Sequence, residues 1–203
     1  AAAAANPPPC RSHLPRWARA FRDGRVMSIH GPLQWSIRPA GKADAAALAL
    51  VAQATFLEAY AGLTSIEDML AHAQRYNSRA GFEAALDGGA QVWIAEAAGT
   101  RAPLGFAMLT VPDFDLTQPG DVELKRIYVL DRCQGQGLAK ALFDTVLDAS
   151  KGAARMLLGV NRDNQRAQGF YRKQGFAIAG TRTFTVGATT YDDFIYAKVL
   201  DPA

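Results

Sequence analysis

Between Asp121 and Ala149 the apolar period changes from strand-like to helix-like, and two glycines mark the change. Asp121–Leu130 reads as a long strand, Gly135 and Gly137 fall in the turn, and Leu138, Ala141, Leu142, Val146 and Leu147 then recur at helical spacing over about Gly137–Ala149. A strand delivered into a helix by a glycine turn is a βα unit, which commits the chain to an α/β architecture. A second unit follows: Arg155–Val160 is a continuous apolar strand of the kind buried inside a sheet, and Gln165–Gln174 a helix. Gly175 is expected to end that helix, with Phe176 folding back on it.

Upstream, Trp35–Arg38 is a short strand ended by Pro39, and Asp44 can cap a helix to about Tyr60 carrying Leu48, Val51, Thr55 and Phe56 on one side. Ser65 with Asp68 three residues on opens another helix, and a short one spans Gly81–Leu86 before Asp87-Gly88-Gly89. Gln91–Glu96 pairs with Leu104–Val111 in a hairpin, and Ala177–Val186 with Thr189–Val199 in a last one around Gly187-Ala188. The expectation is one α/β domain, residues 28–203, with a central mixed, mostly antiparallel twisted sheet of six to seven strands flanked by about four helices.

Composition excludes several classes. With 49% hydrophobic and 20% charged residues among 203, the chain is an ordinary globular protein and not a disordered one. Its longest uncharged apolar stretch, Ala45–Leu57, is too short for the roughly 20 residues that cross a bilayer. The net charge of +3 invites a nucleic-acid reading, but residues 1–26 hold five arginines against Asp23, leaving 17 basic and 18 acidic residues in the rest. The body therefore has no basic face for phosphate backbones. Ala1–Ala5, Pro7–Pro9 and the scattered arginines show no periodic pattern, so residues 1–27 read as a disordered, cloning-derived or upstream leader, with Met27 the biological start and an organelle transit peptide the alternative. Cys10 and Cys133 lie in segments of different character; no disulfide and a reducing cytoplasm are expected. His13, His30 and His72 lack metal-ligand spacing, so no metal is expected.

The main-chain N–H groups of a glycine turn at a helix start point together into the positive end of the helix dipole, and glycine leaves no Cβ between backbone and ligand. A phosphate or pyrophosphate is the natural occupant. The P-loop pattern is not met, because Gly135 and Gly137 are too close together, and the dinucleotide pattern G-x-G-x-x-G fails where Lys140 stands. The spacing that fits is Q-x-x-G-x-A, at Gln134, Gly137 and Ala139. Here the sequence resembles the GNAT family of acetyl-CoA-dependent N-acetyltransferases. A second stretch resembles that family's other motif, with Asn164, Ala167, Phe170, Tyr171, Gly175 and Phe176 in place after a buried strand. The similarity runs from about Trp35 to Leu200 and is sharpest over Glu123–Phe176. It is nearest to polyamine acetyltransferases of the PaiA type in Glu123–Val129, Leu158-Gly159-Val160 and Ala197-Lys198, although the Trp that follows Leu-Gly-Val in that type is Asn161 here.

The long strand carries an independent clue. Val122 and Leu124 set one face, yet Ile127 and Val129 fall out of phase by one residue, which one extra residue near Lys125–Arg126 restores. Such β-bulges are common beside active sites. The resemblance implies a splayed strand pair at this place, with the pantetheine arm of acetyl-CoA, the co-substrate, between the long strand and Arg155–Val160. It implies binding by Ile127, Tyr128 and Val129, by Gln134, Gly135, Gln136, Gly137, Leu138, Ala139 and Lys140, and by Asn164, Ala167, Tyr171 and Lys173. The Val129 N–H would polarise the thioester carbonyl.

An alkylamine of pKa about 10.4 is only about one part in a few thousand neutral at pH 7, so its attack needs a base or a water relay. Glu123, 11 residues before Gln134 like the base of some family members, is the candidate base; Tyr171 is the candidate acid for the leaving sulfur. Their plainer readings are a solvated strand carboxylate and a core aromatic beside Phe170. Lys140, Arg172 and Lys173 read equally well as solvated helix charges, and Cys133 as a loop residue. Phe56, Tyr60, Asp113, Asp115 and Tyr191 could line the acceptor site, the acidic pair suiting a cationic amine.

The function implied is acetyl transfer to a primary amine, polyamine-like or small and cationic, by direct attack in a ternary complex. A protein N-terminal or lysine acceptor is the competitor, and an acyl-CoA sensor without turnover the reading from another class. The partners expected are a small-molecule amine, neither nucleic acid nor membrane, and a homodimer is compatible with the pattern.

Overall fold

The structure, a computed structural model, describes residues 33–186 and 189–200. The leader, Cys10, Met27 and the Gly187-Ala188 turn lie outside the described residues. The described chain forms β1 (Trp35–Ala40), α1 (Ala45–Tyr60), α2 (Ile66–Tyr76), α3 (Arg79–Asp87), β2 (Gln91–Ala97), β3 (Pro103–Thr110), β4 (Asp121–Val129), α4 (Leu138–Ala149), β5 (Arg155–Asn161), α5 (Gln165–Lys173), β6 (Ala177–Val186) and β7 (Thr189–Val199). Short 3-10 turns precede α1 and follow β4. The seven strands lie in the order β1-β2-β3-β4-β5-β7-β6, with β4–β5 the parallel pair and the others antiparallel.

The sheet separates two cores. On one face Leu48, Val51 and Ala52 of α1 and Phe82 of α3 pack against Val92, Ile94, Phe106 and Met108. On the other, Leu138, Leu142, Phe143 and Val146 of α4 and Tyr171 of α5 cover Trp93, Ala107, Leu109, Leu124, Met156, Leu158 and Tyr196. Alternate residues of one strand thus feed different cores, as a period of two requires.

Local chemistry fixes the helix ends. Ser65 Oγ accepts from the Asp68 N–H at 3.1 Å, as its spacing predicts. The helix expected from Gly81 begins instead at Arg79, because Ser78 Oγ accepts from the Gly81 N–H at 3.0 Å and caps it two residues earlier. After α5 the Gly175 N–H bonds to Arg172 O at 3.0 Å and the Phe176 N–H to Tyr171 O at 3.1 Å, a paired C-terminal closure. It brings the Phe176 ring 5.8 Å from that of Tyr171. Strand β1 does not stop at Pro39 but runs through it to Ala40, which an edge strand permits because the missing N–H costs no central ladder bond. Among the described residues five α-helices flank the sheet, against the expected about four.

The bulge expected near Lys125–Arg126 is present. Met108 faces Arg126 and Leu109 faces Leu124, which leaves Lys125 as the extra residue of β4. On its other side β4 pairs with β5 over three positions only, Asp121–Arg155, Val122–Met156 and Glu123–Leu157. Arg155 Nε and Nη2 donate to Asp121 Oδ1 and Oδ2 at 3.0 and 2.6 Å, and Nη2 also donates to Leu116 O at 3.1 Å. The forked pair closes one end of the β4–β5 seam and leaves the other end open.

Arg155 holds the Asp121 carboxyl below the usual carboxylate range. Its stabilisation is therefore full at neutral pH and is lost only in strong acid, as pH falls through that depressed value. Asp121→Ala is expected to cost about 2 kcal/mol at pH 7, because charge-assisted hydrogen bonds of a buried carboxylate are removed. Urea denaturation at pH 7 and pH 3 checks this, with a smaller difference expected at the lower pH.

Candidate active site

At the start of α4 the chain turns through Gly135 at φ 74° and Gly137 at φ 85°, left-handed conformations that side chains strain to adopt. No atom lies within 4 Å of where a Cβ would stand on either. The Gln134 N–H bonds to Asp131 O, the Gln136 N–H to Cys133 O, and the helix ladder begins with Ala141 N–H on Gly137 O at 3.0 Å. Among the described residues the main-chain N–H groups of Gly135, Gly137, Leu138, Ala139 and Lys140 carry no such bond. Unpaired amides, an open surface and the helix dipole together fit a diphosphate. The side chains of the turn do other work. Gln134 Nε2 donates to Asp131 Oδ1, Gln136 Nε2 donates to Arg132 O at 2.7 Å, and Gln136 Oε1 accepts from the Leu33 N–H at 3.1 Å. Lys140 is ion-paired with Asp144 at 2.6 Å on the exposed face of α4, and Lys173 is exposed at the end of α5. Cys133 is a buried free thiol whose burial pushes its pKa up, against a reactive role.

Next to the turn, β4 and β5 part. The Leu130 N–H bonds to Leu104 O on the β3 side at 2.9 Å. Main-chain groups of an antiparallel strand alternate in direction, so those of Tyr128 share that side while those of Ile127 and Val129 point toward β5, beyond the last β4–β5 pair. A wedge with main-chain donors and acceptors on its wall results.

Glu123 is buried and not the solvated carboxylate of its plainer reading: its side chain is 2% exposed, with Lys125 Nζ 3.1 Å from Oε1 and 3.2 Å from Oε2. Its cross-strand partner Thr110 holds a buried hydroxyl without a hydrogen-bond partner among the described residues. Tyr171 is enclosed by the rings of Phe170, Phe176 and Tyr196, and burial raises its phenol far above the usual range, so it stays protonated at neutral pH. The phenol of Tyr128 also raises it electrostatically. Asn164 caps α5, its Oδ1 accepting from the Ala167 N–H at 3.0 Å.

The α1–α2 side of the opening is aromatic. Phe56 stacks on His72 with centroids 4.4 Å apart, and Tyr60 lies 4.7 Å from Phe56. The neighbouring Tyr128 phenol and burial raise the pKa of the Tyr60 phenol. Tyr191 of β7 shares a 2.8 Å hydrogen bond with Thr64. Asp113 and Asp115 are exposed; the residue between them, Phe114, is the one their loop buries, against Leu157 and Ile195. Sequence reasoning named Tyr128 on the co-substrate side only and did not assign Arg126, Arg182 or Asp193 to this face. The Tyr128 side chain points into it, Arg126 Nη1 donates to Tyr76 O and Asn77 Oδ1 at 3.1 Å each, and Arg182 meets Asp193. Alternation along β7 from Tyr191 was the available signal for Asp193. No group of three His, Cys, Asp or Glu able to hold a metal occurs among the described residues, and no helix there is long and apolar enough to cross a membrane.

The family model of the acetyltransferase (GNAT) family matches residues 56–176, more than half of the chain. The chain belongs to that family. It is 46% identical over 99 residues to an uncharacterised N-acetyltransferase of Mycobacterium tuberculosis, covering 48% of this chain and 60% of the relative. A probable N-acetyltransferase of the same species is 36% identical over 98 residues, covering 48% and 52%. The chain thus spans about three-fifths or less of the length of these relatives. The fold is similar to that of the PaiA N-acetyltransferase from Thermoplasma acidophilum, solved in complex with coenzyme A, with a TM-score of 0.64 at 21% identity over 82% of this chain and 99% of that one.

Burial, with Arg126 nearby, depresses the His72 pKa to about 4. The unfolded chain, with His near 6.5, binds the proton more readily, so stability falls as pH drops from about 6.5 to 4. His72→Phe, which keeps the stack on Phe56, is expected to flatten that part of the melting temperature against pH curve.

Proposed function

We propose that this protein is an acetyl-CoA-dependent N-acetyltransferase acting on a primary amine, with a polyamine-like or small cationic amine as the acceptor. The observation that carries the reading is the set of five unpaired main-chain amides at Gly135 and Gly137–Lys140, set beside the opening between β4 and β5. A diphosphate on those amides directs the rest of the co-substrate toward that opening, where the main-chain groups of Ile127 and Val129 are free to bind an amide-containing arm.

The residues then divide the work. The Val129 N–H donates to the thioester carbonyl and stabilises the charge that develops on its oxygen. Glu123 takes a proton from the acceptor's ammonium through a chain of waters that spans the distance back along β4, and the buried Thr110 hydroxyl opposite it suits that relay. The free amine nitrogen attacks the carbonyl carbon, a C–N bond forms and the C–S bond breaks. Tyr171 gives its phenol proton to the departing thiolate, which burial of the phenol favours by disfavouring an early loss of that proton. The net change is ammonium plus thioester to amide, thiol and one released proton. We place the reaction in the cytoplasm, where a free thiol such as that of Cys133 stays reduced.

Incubation with acetyl-CoA and a panel of amines, following free thiol, is expected to show amine-dependent release; binding without release would leave the sensor reading. Tyr171→Phe is expected to lower kcat about tenfold or more with unchanged coenzyme A affinity. Glu123→Gln is expected to move the pH profile toward higher pH, and a superimposable profile would remove the base from that position. Gly137→Val is expected to weaken coenzyme A binding at least tenfold in calorimetry.

A further inference from the structure

Asp193 of β7 is buried, 6% exposed, yet incompletely satisfied. Arg182 of β6 approaches only its Oδ2, from Nε at 3.4 Å and from Nη2 at 3.3 Å, both long for a charge-assisted bond. Its Oδ1 has no hydrogen-bond partner among the described residues and is not among the side-chain oxygens sealed from solvent there. That oxygen is therefore open to solvent or to a ligand.

Position gives the oxygen a meaning. Asp193 faces Asn161 across β5 and Arg182 across β6, four residues beyond the level of Leu157, where pairing with β4 ends at Glu123. Allowing for the extra residue at Lys125, that level on the far side of the opening is the level of Tyr128. Asp193 therefore stands level with Tyr128, two strands across the sheet with β5 and the opening between, whereas Glu123 lies about 13 Å back along the strand at 3.3 Å per residue. The groups around it come from every neighbouring element: Tyr60 of α1, whose phenol feels Asp193, Tyr191 and Tyr128 electrostatically, Tyr191 two residues along β7, Arg182 on β6 and the exposed Asp192 beside it. Arg182 is held in turn, its guanidinium 4.8 Å from the Phe114 ring and filling the space a side chain on Gly159 would need, 2.4 Å from that Cβ position.

We propose that Asp193 is the acceptor-recognition residue, its free Oδ1 receiving the ammonium of the amine between the phenols of Tyr60, Tyr128 and Tyr191. The inference rests on the acetyltransferase reading and deepens it by assigning the cation's carboxylate to the sheet, not to Asp113 and Asp115. Aromatic walls with one carboxylate suit a compact organic cation, through ring faces and one charge-assisted hydrogen bond. Arg182 keeps the carboxylate in place from its other oxygen. Burial also raises the Asp193 carboxyl above the usual range, so amine binding weakens on acidification earlier than an ordinary carboxylate would allow.

The test compares the protein with Asp193→Asn in two readouts. In turnover with acetyl-CoA, the variant is expected to raise the KM for 1,4-diaminobutane at least tenfold while the KM for acetyl-CoA stays within twofold. In calorimetry, 1,4-diaminobutane is titrated into coenzyme A-saturated protein, and the variant is expected to lose at least tenfold in affinity. Asp113→Asn with Asp115→Asn is expected to change neither. Amine binding without any turnover would sink the acetyltransferase reading alone; unchanged amine affinity and KM in Asp193→Asn would overturn the role of Asp193. Should Asp193→Asn fold poorly, calorimetry of the unaltered, coenzyme A-saturated protein with 1-aminobutane, a cation at neutral pH, and with neutral 1-butanol decides, since equal affinity for the two contradicts a carboxylate there.

Discussion

The seam between β4 and β5 is closed by three residue pairs and one forked ion pair, and the rest of the site depends on its not being closed further. Lys125, the extra residue of β4, shifts the strand's register just after the seam ends, and the twist added by a bulge turns the strand away from its neighbour. Main-chain groups that a regular sheet would pair are thereby left to a ligand. Arg155 and Asp121 prevent the opening from running the length of the sheet, since their bonds tie the first residues of both strands to one another and to Leu116.

Rigid elements converge on the opening from both faces. The closure after α5 packs Phe176 on Tyr171 and fixes the phenol from the α4–α5 side, while α1 sets Tyr60 from the other. Tyr128 joins them because it sits on the strand that parts. The phenols of Tyr171 and Tyr60 each feel that of Tyr128 electrostatically, which links the proposed acid and the proposed acceptor site.

Much of this was legible in the residues. The glycine turn and the α5 motif follow from local patterns, and the bulge from a phase slip between Leu124 and Ile127 that any strand must resolve. The acceptor side was less legible. Asp113 and Asp115 attract attention as acids in a loop, but alternation buries Phe114 between them and sends both outward. Asp193 is embedded in a strand of ordinary composition, and its partner Arg182 comes from the next strand over, a pairing that depends on the β6–β7 register.

The sequence by itself determined the βα units, the Ser65 and Asn164 caps, the glycine turn and the family, because each depends on residues within one or two helical turns of one another. Tertiary structure alone decided that Glu123 is buried against Lys125, that the Tyr128 side chain and the Ile127 and Val129 main chain point to different sides, and that Asp193 keeps one oxygen unpaired. These are consequences of which strands end up adjacent and where their pairing stops, and that depends on packing among residues far apart in the chain.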